Sequence, residues 1–536
     1  MRRVIAMVSG LAGCTDRNPT PADSGSDGLA TVEARLDAPG EVTCADPSAR
    51  EVQKMAFGEL RAEAEKKRWF WGVGVVVADF DLDGNDDLVL PGLWETVFYE
   101  GLGGGQFVEI PWSNVADSPA TGGSGGTAAD YDGDGDFDLL ITKYLGRNAL
   151  YRNDGGRLVD VSVAAGLGQD FRRSMASSWG DLDHDGDLDL YIGCYQYIDE
   201  SMDDSDHAQF VPGEPDWLYL NDGDGTFTDV SDRLPQNFHD GYTLGGGFVD
   251  LDSDGWLDLY GVSDFGEVYP SRLLWNREGV LVADENAHGL DLAMTGMGLA
   301  VGDVNGDAIP DLMVPAWNGN HALLSGAGGR GWFESVQLIG PINDLSRAQR
   351  IAWGGDLVDM DNDGDLDLPL SYGFLDAAYA SSQTQPDALY LQGEDGVFVD
   401  AGAAWGMNHP GANRGFASVD LNRDGYVDVV RRDTGGPPLV YLSSCGEASW
   451  LEVDLQMPGQ NRYAIGARVV VEAEGERQLG WIRAGGTNFG TGTPPVAHFG
   501  LGAVSRVDSV EVYWPDGEVS VTRDVDVRQR VTLARD

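Results

Sequence analysis

The chain has 536 residues, too many for one ordinary compact core and suited to a large repeat domain with a smaller companion. Lys and Arg number 35 against 88 Asp and Glu, and the formal charge of -53 argues against nucleic acid and anionic membrane surfaces as partners. With 42% hydrophobic and 10% aromatic residues the chain is not a disordered polyanion, so the acid must be neutralised locally in a fold, most readily by divalent cations.

The chain opens as a targeting segment. Arg2 and Arg3 precede a short apolar stretch over residues 4–10, followed by Leu11-Ala12-Gly13-Cys14. That tetrad resembles the bacterial lipoprotein signal, which implies a signal and lipobox over 1–14, with Cys14 lipidated at the mature N-terminus. Residues 15–40, rich in Thr, Pro, Asp, Ser and Gly, read as a disordered tether, and 41–70 as a strap leading into the repeats. No later stretch holds 18 uninterrupted apolar residues, so membrane contact is expected only through the lipid.

Residues 71–445 repeat one phrase seven times: a small or apolar run, D-x-D/N-x-D-G-x-x-D, then a second apolar run. The loops begin at Asp79, Asp130, Asp181, Asp250, Asp303, Asp359 and Asp420. Between them recurs a second phrase, seen as Ala149-Leu150-Tyr151-Arg152-Asn153-Asp154-Gly155 and Trp217-Leu218-Tyr219-Leu220-Asn221-Asp222-Gly223. Each repeat thus holds about four short strands. Seven such blades can close into a ring with only short edges, so the sequence predicts an all-β, seven-bladed β-propeller.

Side chains at positions 1, 3 and 5 of each loop converge on one point, glycine at 6 permits the sharp turn, and the carbonyl at 7 and carboxylate at 9 complete an oxygen shell. The candidate ligands are Asp79, Asp81, Asp83, Asn85 and Asp87 in loop one, and Asp130, Asp132, Asp134, Asp136 and Asp138 in loop two. Loop three offers Asp181, Asp183, Asp185, Asp187 and Asp189, and loop four Asp250, Asp252, Asp254, Trp256 and Asp258. Asp303, Asn305, Asp307, Ile309 and Asp311 form loop five, and Asp359, Asp361, Asp363, Asp365 and Asp367 loop six. Asp420, Asn422, Asp424, Tyr426 and Asp428 form loop seven.

A hard, oxygen-only donor set of this size suits Ca²⁺, up to one per blade, better than Mg²⁺ or zinc. His184, at position 4, is expected to point away from its own ion. An EF-hand is excluded because position 12 is never acidic; it is Leu90, Ile141, Ile192, Gly261, Val314, Leu370 or Arg431. Loop five departs most, with Asn305 at position 3 and Ala308 where glycine is expected.

The repeats resemble the FG-GAP or VCBS repeats of the integrin α-chain propeller. On that ring the first and last blades meet, which makes Cys44 and Cys445 an expected disulfide clasp, while Cys194 in its strand pattern reads as a buried free thiol.

From 446 to 536 the metal phrase stops and a small β-sandwich is expected. Asn461-Arg462-Tyr463-Ala464-Ile465-Gly466, His498-Phe499-Gly500-Leu501-Gly502 and Val510-Glu511-Val512-Tyr513-Trp514-Pro515-Asp516-Gly517 are similar to the ASPIC/UnbV domain that follows such repeats in the cartilage acidic protein family. Gly122-Gly123-Ser124-Gly125-Gly126 fits a nucleophile-elbow pattern but precedes a strand and a metal loop, so it reads as a flexible turn. His498 reads as structural, for want of a catalytic companion motif.

The expected protein is a secreted, surface or outer-membrane lipoprotein, not an enzyme, that binds an extracellular protein or glycan. The rivals are a polysaccharide-processing enzyme on the same scaffold and a structural envelope spacer. The connections 195–216, 315–350 and 371–385 exceed what a blade turn needs. They carry or adjoin Tyr195, Tyr197, Phe210, Trp217, Trp317, Trp332, Phe333, Tyr372 and Phe374, and are the expected binding surface.

Overall fold

An apolar run entering each aspartate loop and another leaving it make a hairpin, and repetition of that hairpin sets the architecture. The computed structural model describes residues 32–37, 51–54 and 72–535, apart from 168–169, 197–211, 285–287, 318, 327–330, 336–349, 374–384, 394, 435–437, 444–445 and 486–487. Cys14, Cys44 and Cys445 therefore lie outside the described residues, with the signal segment, Tyr197, Phe210 and Phe374.

Seven four-stranded antiparallel sheets account for the repeats. In blade one the strands Val76–Ala78, Asp87–Leu90, Val97–Gly101 and Phe107–Ile110 pair in chain order, and the metal loop joins the first two. Blades two to six repeat that order from inner strands Gly123–Ala129, Ser174–Gly180, Thr243–Val249, Ala300–Gly302 and Ala352–Gly355. Blade seven takes three strands from its own repeat, Asn413–Val419, Asp428–Asp433 and Leu439–Leu442. Its fourth strand is Glu51–Lys54 from the N-terminal strap, with Val52 opposite Tyr441 and Lys54 opposite Leu439.

Apolar layers lie between successive sheets and return to the start. Val75, Val77 and Leu88 of blade one pack on Ala417, Val430 and Val440 of blade seven, and the Gly415 N–H donates to Val73 O at 2.9 Å. Each such side chain taken wholly out of water is worth about 1.5–3 kcal/mol, which a flat, open array of sheets would forfeit at its two ends.

The C-terminal region is a sandwich of two four-stranded sheets around Leu451, Val453, Val469, Phe499, Val510 and Leu533. One sheet is completed by Val32–Asp37, antiparallel to Gln529–Arg535, with Val32 opposite Arg535. Those six residues fall inside the 15–40 stretch assigned to a tether. Composition marked that stretch as polar, whereas the alternation in Val-Glu-Ala-Arg-Leu-Asp is what permits a strand. The N-terminal strap thus threads the sandwich first and the ring second.

The sandwich reaches into the ring. Its residues 484, 485 and 488–492 lie against the inner strands: Val77 N donates to Gly492 O at 2.9 Å, Gly492 N to Val75 O at 2.9 Å, and Trp179 N to Ala484 O at 3.1 Å. Asn488 donates to Gly355 O at 3.0 Å and to Phe416 O at 3.2 Å, in blades six and seven. Phe489 joins Val73, Tyr144, Met175, Tyr242 and Trp353 in the apolar cluster at the ring's centre.

This axle needs room at four of the small residues that stand five positions before a loop, Gly74, Gly125, Gly298 and Gly354, where a β-carbon would fall 2.1 to 3.3 Å from Asn488 or Gly490. A β-carbon on Gly74 would stand 2.1 Å from Gly490 O, and one on Gly125 would stand 2.6 Å from the Gly490 Cα. The Gly122–Gly126 stretch is accordingly no flexible turn. Residues Gly123–Ala129 are the buried inner strand of blade two, glycine-rich because another backbone passes beside it.

Cys194 is a buried free thiol, as its strand pattern predicts. No helix among the described residues is long and apolar enough to cross a membrane.

Candidate metal centres

Loop one shows how the aspartates shape the turn before any ion is considered. Asp79 accepts the Asp83 N–H at 3.1 Å and the Gly84 N–H at 2.9 Å, which curls positions 1 to 6 around its carboxylate. Asp83 accepts the Asn85 N–H at 2.8 Å. Asp87 takes Phe80 N–H on one oxygen and Gly101 N–H on the other, at 3.0 and 2.8 Å, and so ties the loop to the third strand.

The same bonds recur in all seven loops. Position 1 accepts from position 6, and position 5 accepts from position 7. Position 9 accepts from position 2 and from the end of strand three. Position 4 is left-handed throughout, including His184 at φ 58°, Asn362 at 59° and Arg423 at 57°. Ala308 keeps the glycine conformation of position 6 at φ 66°, so loop five holds the common shape at a cost in strain.

Among the described residues, carboxylates gather in five of the seven loops; in four of these the trio is positions 1, 3 and 9, and the position-5 aspartate expected with them is not part of it. Asp79, Asp81 and Asp87 each bring an oxygen within 4.8 Å of the others, as do Asp130, Asp132 and Asp138, Asp181, Asp183 and Asp189, and Asp359, Asp361 and Asp367. In loop four the trio is Asp250, Asp252 and Asp254, and the Arg277 guanidinium lies 2.9 Å from both Asp252 and Asp254. Loops five and seven form no such trio among the described residues, because Asn305 and Asn422 replace the position-3 aspartate. Each asparagine still accepts the position-5 N–H, at 2.9 and 3.0 Å, so the fold of the loop survives the change.

In the protein alone these acids are held away from water and beside one another. Burial, reinforced by the neighbouring aspartates, pushes Asp87, Asp130, Asp181 and Asp250 up to about 7 and Asp189 to about 8. Burial, with the neighbouring carboxylates adding to it, also holds Asp138, Asp258, Asp359, Asp367 and Asp420 well above the usual carboxyl range. Buried oxygens of Asp130, Asp132, Asp252 and Asp361 have no hydrogen-bond partner. Orphaned acceptors and crowded like charges fit a hard cation at the centre of each trio, which would supply the missing partner and reverse the shift.

One set of site residues escaped the sequence reading. Asn153 donates to Phe80 O of loop one at 2.7 Å and to Phe137 O of its own loop at 3.1 Å. Asn221 and Asn276 do the same to Tyr131 and Leu188, and to Leu182 and Leu257. Gln392 reaches Val304 O at 3.2 Å. These amides staple each loop to the one before it. The recurring asparagine after Leu-Tyr-x was the signal that could have found them.

The sandwich sits on the loop face. Asn461 N donates to Gly186 O at 2.9 Å, Tyr463 Oη to Gly135 O at 2.8 Å, and Gly502 N to Asn362 O at 2.7 Å. The Trp450 ring covers Gly425, where a β-carbon would fall 1.7 Å from it. His498 Nε2 lies 2.8 Å from Asn362 Oδ1, a structural engagement between the two regions.

Against this geometry, models of the FG-GAP-like repeat match residues 79–141, 130–192 and 250–314, and the model of ASPIC and UnbV matches 457–536. The chain is 26% identical to cartilage acidic protein 1 of Mus musculus over 485 residues, 84% of this chain and 71% of that one. It is 26% identical to the Homo sapiens protein of the same name, covering 84% and 70%. Among solved structures it aligns with an Agrocybe aegerita lectin studied for recognition of non-reducing terminal N-acetylglucosamine, at 17% identity and TM-score 0.42, over 69% of this chain and 94% of that chain. It also aligns with BBS1N in complex with ARL6DN, at 11% identity and TM-score 0.40, over 70% and 97%. The chain carries FG-GAP-like repeats followed by an ASPIC/UnbV domain, and is similar to cartilage acidic protein 1.

Proposed function

We propose that this chain, with FG-GAP-like repeats ahead of an ASPIC/UnbV domain, is a calcium-loaded binding protein, not an enzyme, tethered at the cell surface through Cys14. Its partner is an extracellular protein or glycan, captured on the face of the ring opposite the sandwich. Calcium neutralises the loop carboxylates and stiffens the face on which the sandwich rests.

The observation that carries this reading is the sandwich itself, which occupies the loop face and fills the ring's centre with residues 488–492. In each antiparallel blade the connection from strand two to three, and that from strand four to the next blade, emerge on the other side. The strand ends that flank 197–211, 336–349 and 374–384 lie on that side, while those three stretches themselves fall outside the described residues. Within 315–350 the strands His321–Ser325 and Trp332–Glu334 leave only the last part as insert.

The aromatics divide. Tyr195, Trp217, Trp332 and Tyr372 are buried in the blades, while Phe333 is 56% exposed. The binding reading therefore rests on the inserts and not on those four rings.

The test is to present the soluble protein, with Cys14→Ser, to glycan arrays and surface-protein pull-downs, and then to shorten each insert separately. Loss of capture with unchanged calcium-dependent melting supports the reading. Intact capture by all three shortened forms defeats it, and release of sugar fragments from a polysaccharide would point to the enzyme.

A further inference from the structure

The position-4 side chains point away from their own loops, and at three junctions they land on the next one. The His184 ring of loop three lies flat on Trp256, position 7 of loop four, with centroids 3.6 Å apart and planes 5° apart. Asn362 of loop six donates from Nδ2 to Gly425 O, position 6 of loop seven, at 2.8 Å. The Arg423 guanidinium of loop seven lies over Gly84, position 6 of loop one, where a β-carbon would be 3.9 Å from both Nη atoms. At two other junctions the position is Gly133 or Gly306, with no side chain to reach across; Leu82 of loop one is half exposed, and Ser253 Oγ of loop four has no hydrogen-bond partner.

We propose that the metal loops bind calcium cooperatively at these three junctions, three with four, six with seven and seven with one, through the position-4 side chain. The proposal rests on the calcium reading above. A non-glycine residue in the left-handed region is disfavoured unless its surroundings over-determine it. A closed loop around an ion supplies that constraint, and so holds His184, Asn362 and Arg423 against the next loop, stacked on Trp256, bonded to Gly425 O and lying beside Gly84 respectively. The braced segment is positions 6 and 7, the turn and the expected carbonyl ligand. Filling one loop therefore favours the bound shape of its neighbour, and by linkage the neighbour favours the first by the same factor.

The ring breaks into groups on this account. Loops six, seven and one form a chain of three, loops three and four a pair, and loops two and five stand outside these contacts. Position 4 contributes no ligand, so its identity is set by the neighbouring loop and not by the ion. It varies as Leu, Gly, His, Ser, Gly, Asn and Arg, while positions 1, 3, 5 and 9, whose side chains are the expected ligands, are Asp or Asn throughout.

Terbium serves as a luminescent stand-in for calcium, and Trp256 makes loop four its own reporter. The signal lost in Trp256→Phe is the loop-four signal. Asp183→Asn, which weakens loop three, should shift the loop-four terbium midpoint upward by about fivefold or more. Asp81→Asn, in the distant loop one, should leave it in place. In His184→Gly, which suits the left-handed backbone, and in His184→Asn, which tolerates it but cannot stack, the response to Asp183→Asn should fall below about twofold. A loop-four midpoint indifferent to Asp183→Asn with His184 present overturns the proposal, as does an undiminished shift in both His184 variants. Failure of terbium and calcium to bind at all would overturn the calcium reading itself, and the coupling with it.

Discussion

The side-chain amide of Asn488 donates to the carbonyl of Gly355, 3.0 Å away, and its oxygen faces the Gly355 N–H at 3.3 Å. A residue of the C-terminal domain thus completes the inner strand of blade six from 133 positions downstream in the chain. Ring and sandwich consequently share hydrogen bonds that neither can satisfy alone.

Asn488→Ala removes those bonds and the one to Phe416 O, and leaves buried backbone groups unpaired. The expected loss is about 1–3 kcal/mol per unsatisfied group. Ring and sandwich should still unfold in one transition, at lower temperature or denaturant. An unchanged midpoint, or two separate transitions in the parent protein, would show that the axle does not join the two regions.

The pH response of the calcium-free protein follows from the raised carboxyls. An aspartate titrates near 3.9 when unfolded, whereas Asp87, Asp130 and Asp181 titrate at about 7 and Asp189 at about 8 in the fold. Between those values the folded chain holds protons that the unfolded chain has released. Stability is therefore fully present below pH ~4 as far as these groups are concerned, and is lost as pH rises toward 8. Calcium competes with those protons, so its stabilising effect should grow over the same range. Melting of dialysed protein at pH 5.5 and 8, with and without calcium, checks both slopes; a metal-free protein that melts higher at pH 8 contradicts the account.

Much of this was legible in the sequence, because the loop phrase encodes both chemistry and geometry. The phrase marked Asp79, Asp81 and Asp87, and their counterparts in loops two, three and six, as neighbours, since each side chain acts within nine residues of the others. What local pattern could not show was how distant segments meet. Glu51–Lys54 completes blade seven beside Leu439–Leu442, and nothing in its four residues names that partner. The glycines at 74, 125, 298 and 354 stand at one regular offset from their loops, but what crowds them, Asn488 and Gly490, lies in a distant segment. Asn153 and Asn221 were noticed as parts of a phrase, although their bonds run to carbonyls of the preceding repeat.

Those staples yield a prediction of their own. Asn153→Ala leaves Phe80 O and Phe137 O without their amide donor at a buried junction. Melting should fall by the equivalent of about 1–3 kcal/mol. Calcium should restore part of it, because Phe80 is position 2 of loop one. Asn153→Asp should be at least as damaging, since a carboxylate offers no N–H to either carbonyl. A neutral outcome for both variants would mean that the blades are held by their apolar layers alone.

The last prediction concerns the one loop that breaks its own rule. Ala308 occupies position 6 of loop five at φ 66°, whereas the other six loops place glycine there at 82° to 102°. A left-handed L-residue costs about 1–2 kcal/mol, and glycine removes that cost. Glycine also loosens the unfolded chain, which takes back about 0.4–1 kcal/mol. Ala308→Gly should therefore stabilise the protein by roughly 0.5–1 kcal/mol, an unusual direction for an alanine-to-glycine change. The converse, Gly186→Ala in loop three at φ 98°, has no atom within 4 Å of the added carbon and so tests the backbone alone. It should destabilise by roughly 0.5–1 kcal/mol, the same two effects with their signs exchanged. Both are read from melting at saturating calcium, so that loop occupancy does not differ. If Ala308→Gly lowers the melting temperature while Gly186→Ala leaves it unchanged, the shared left-handed turn is not what shapes these loops.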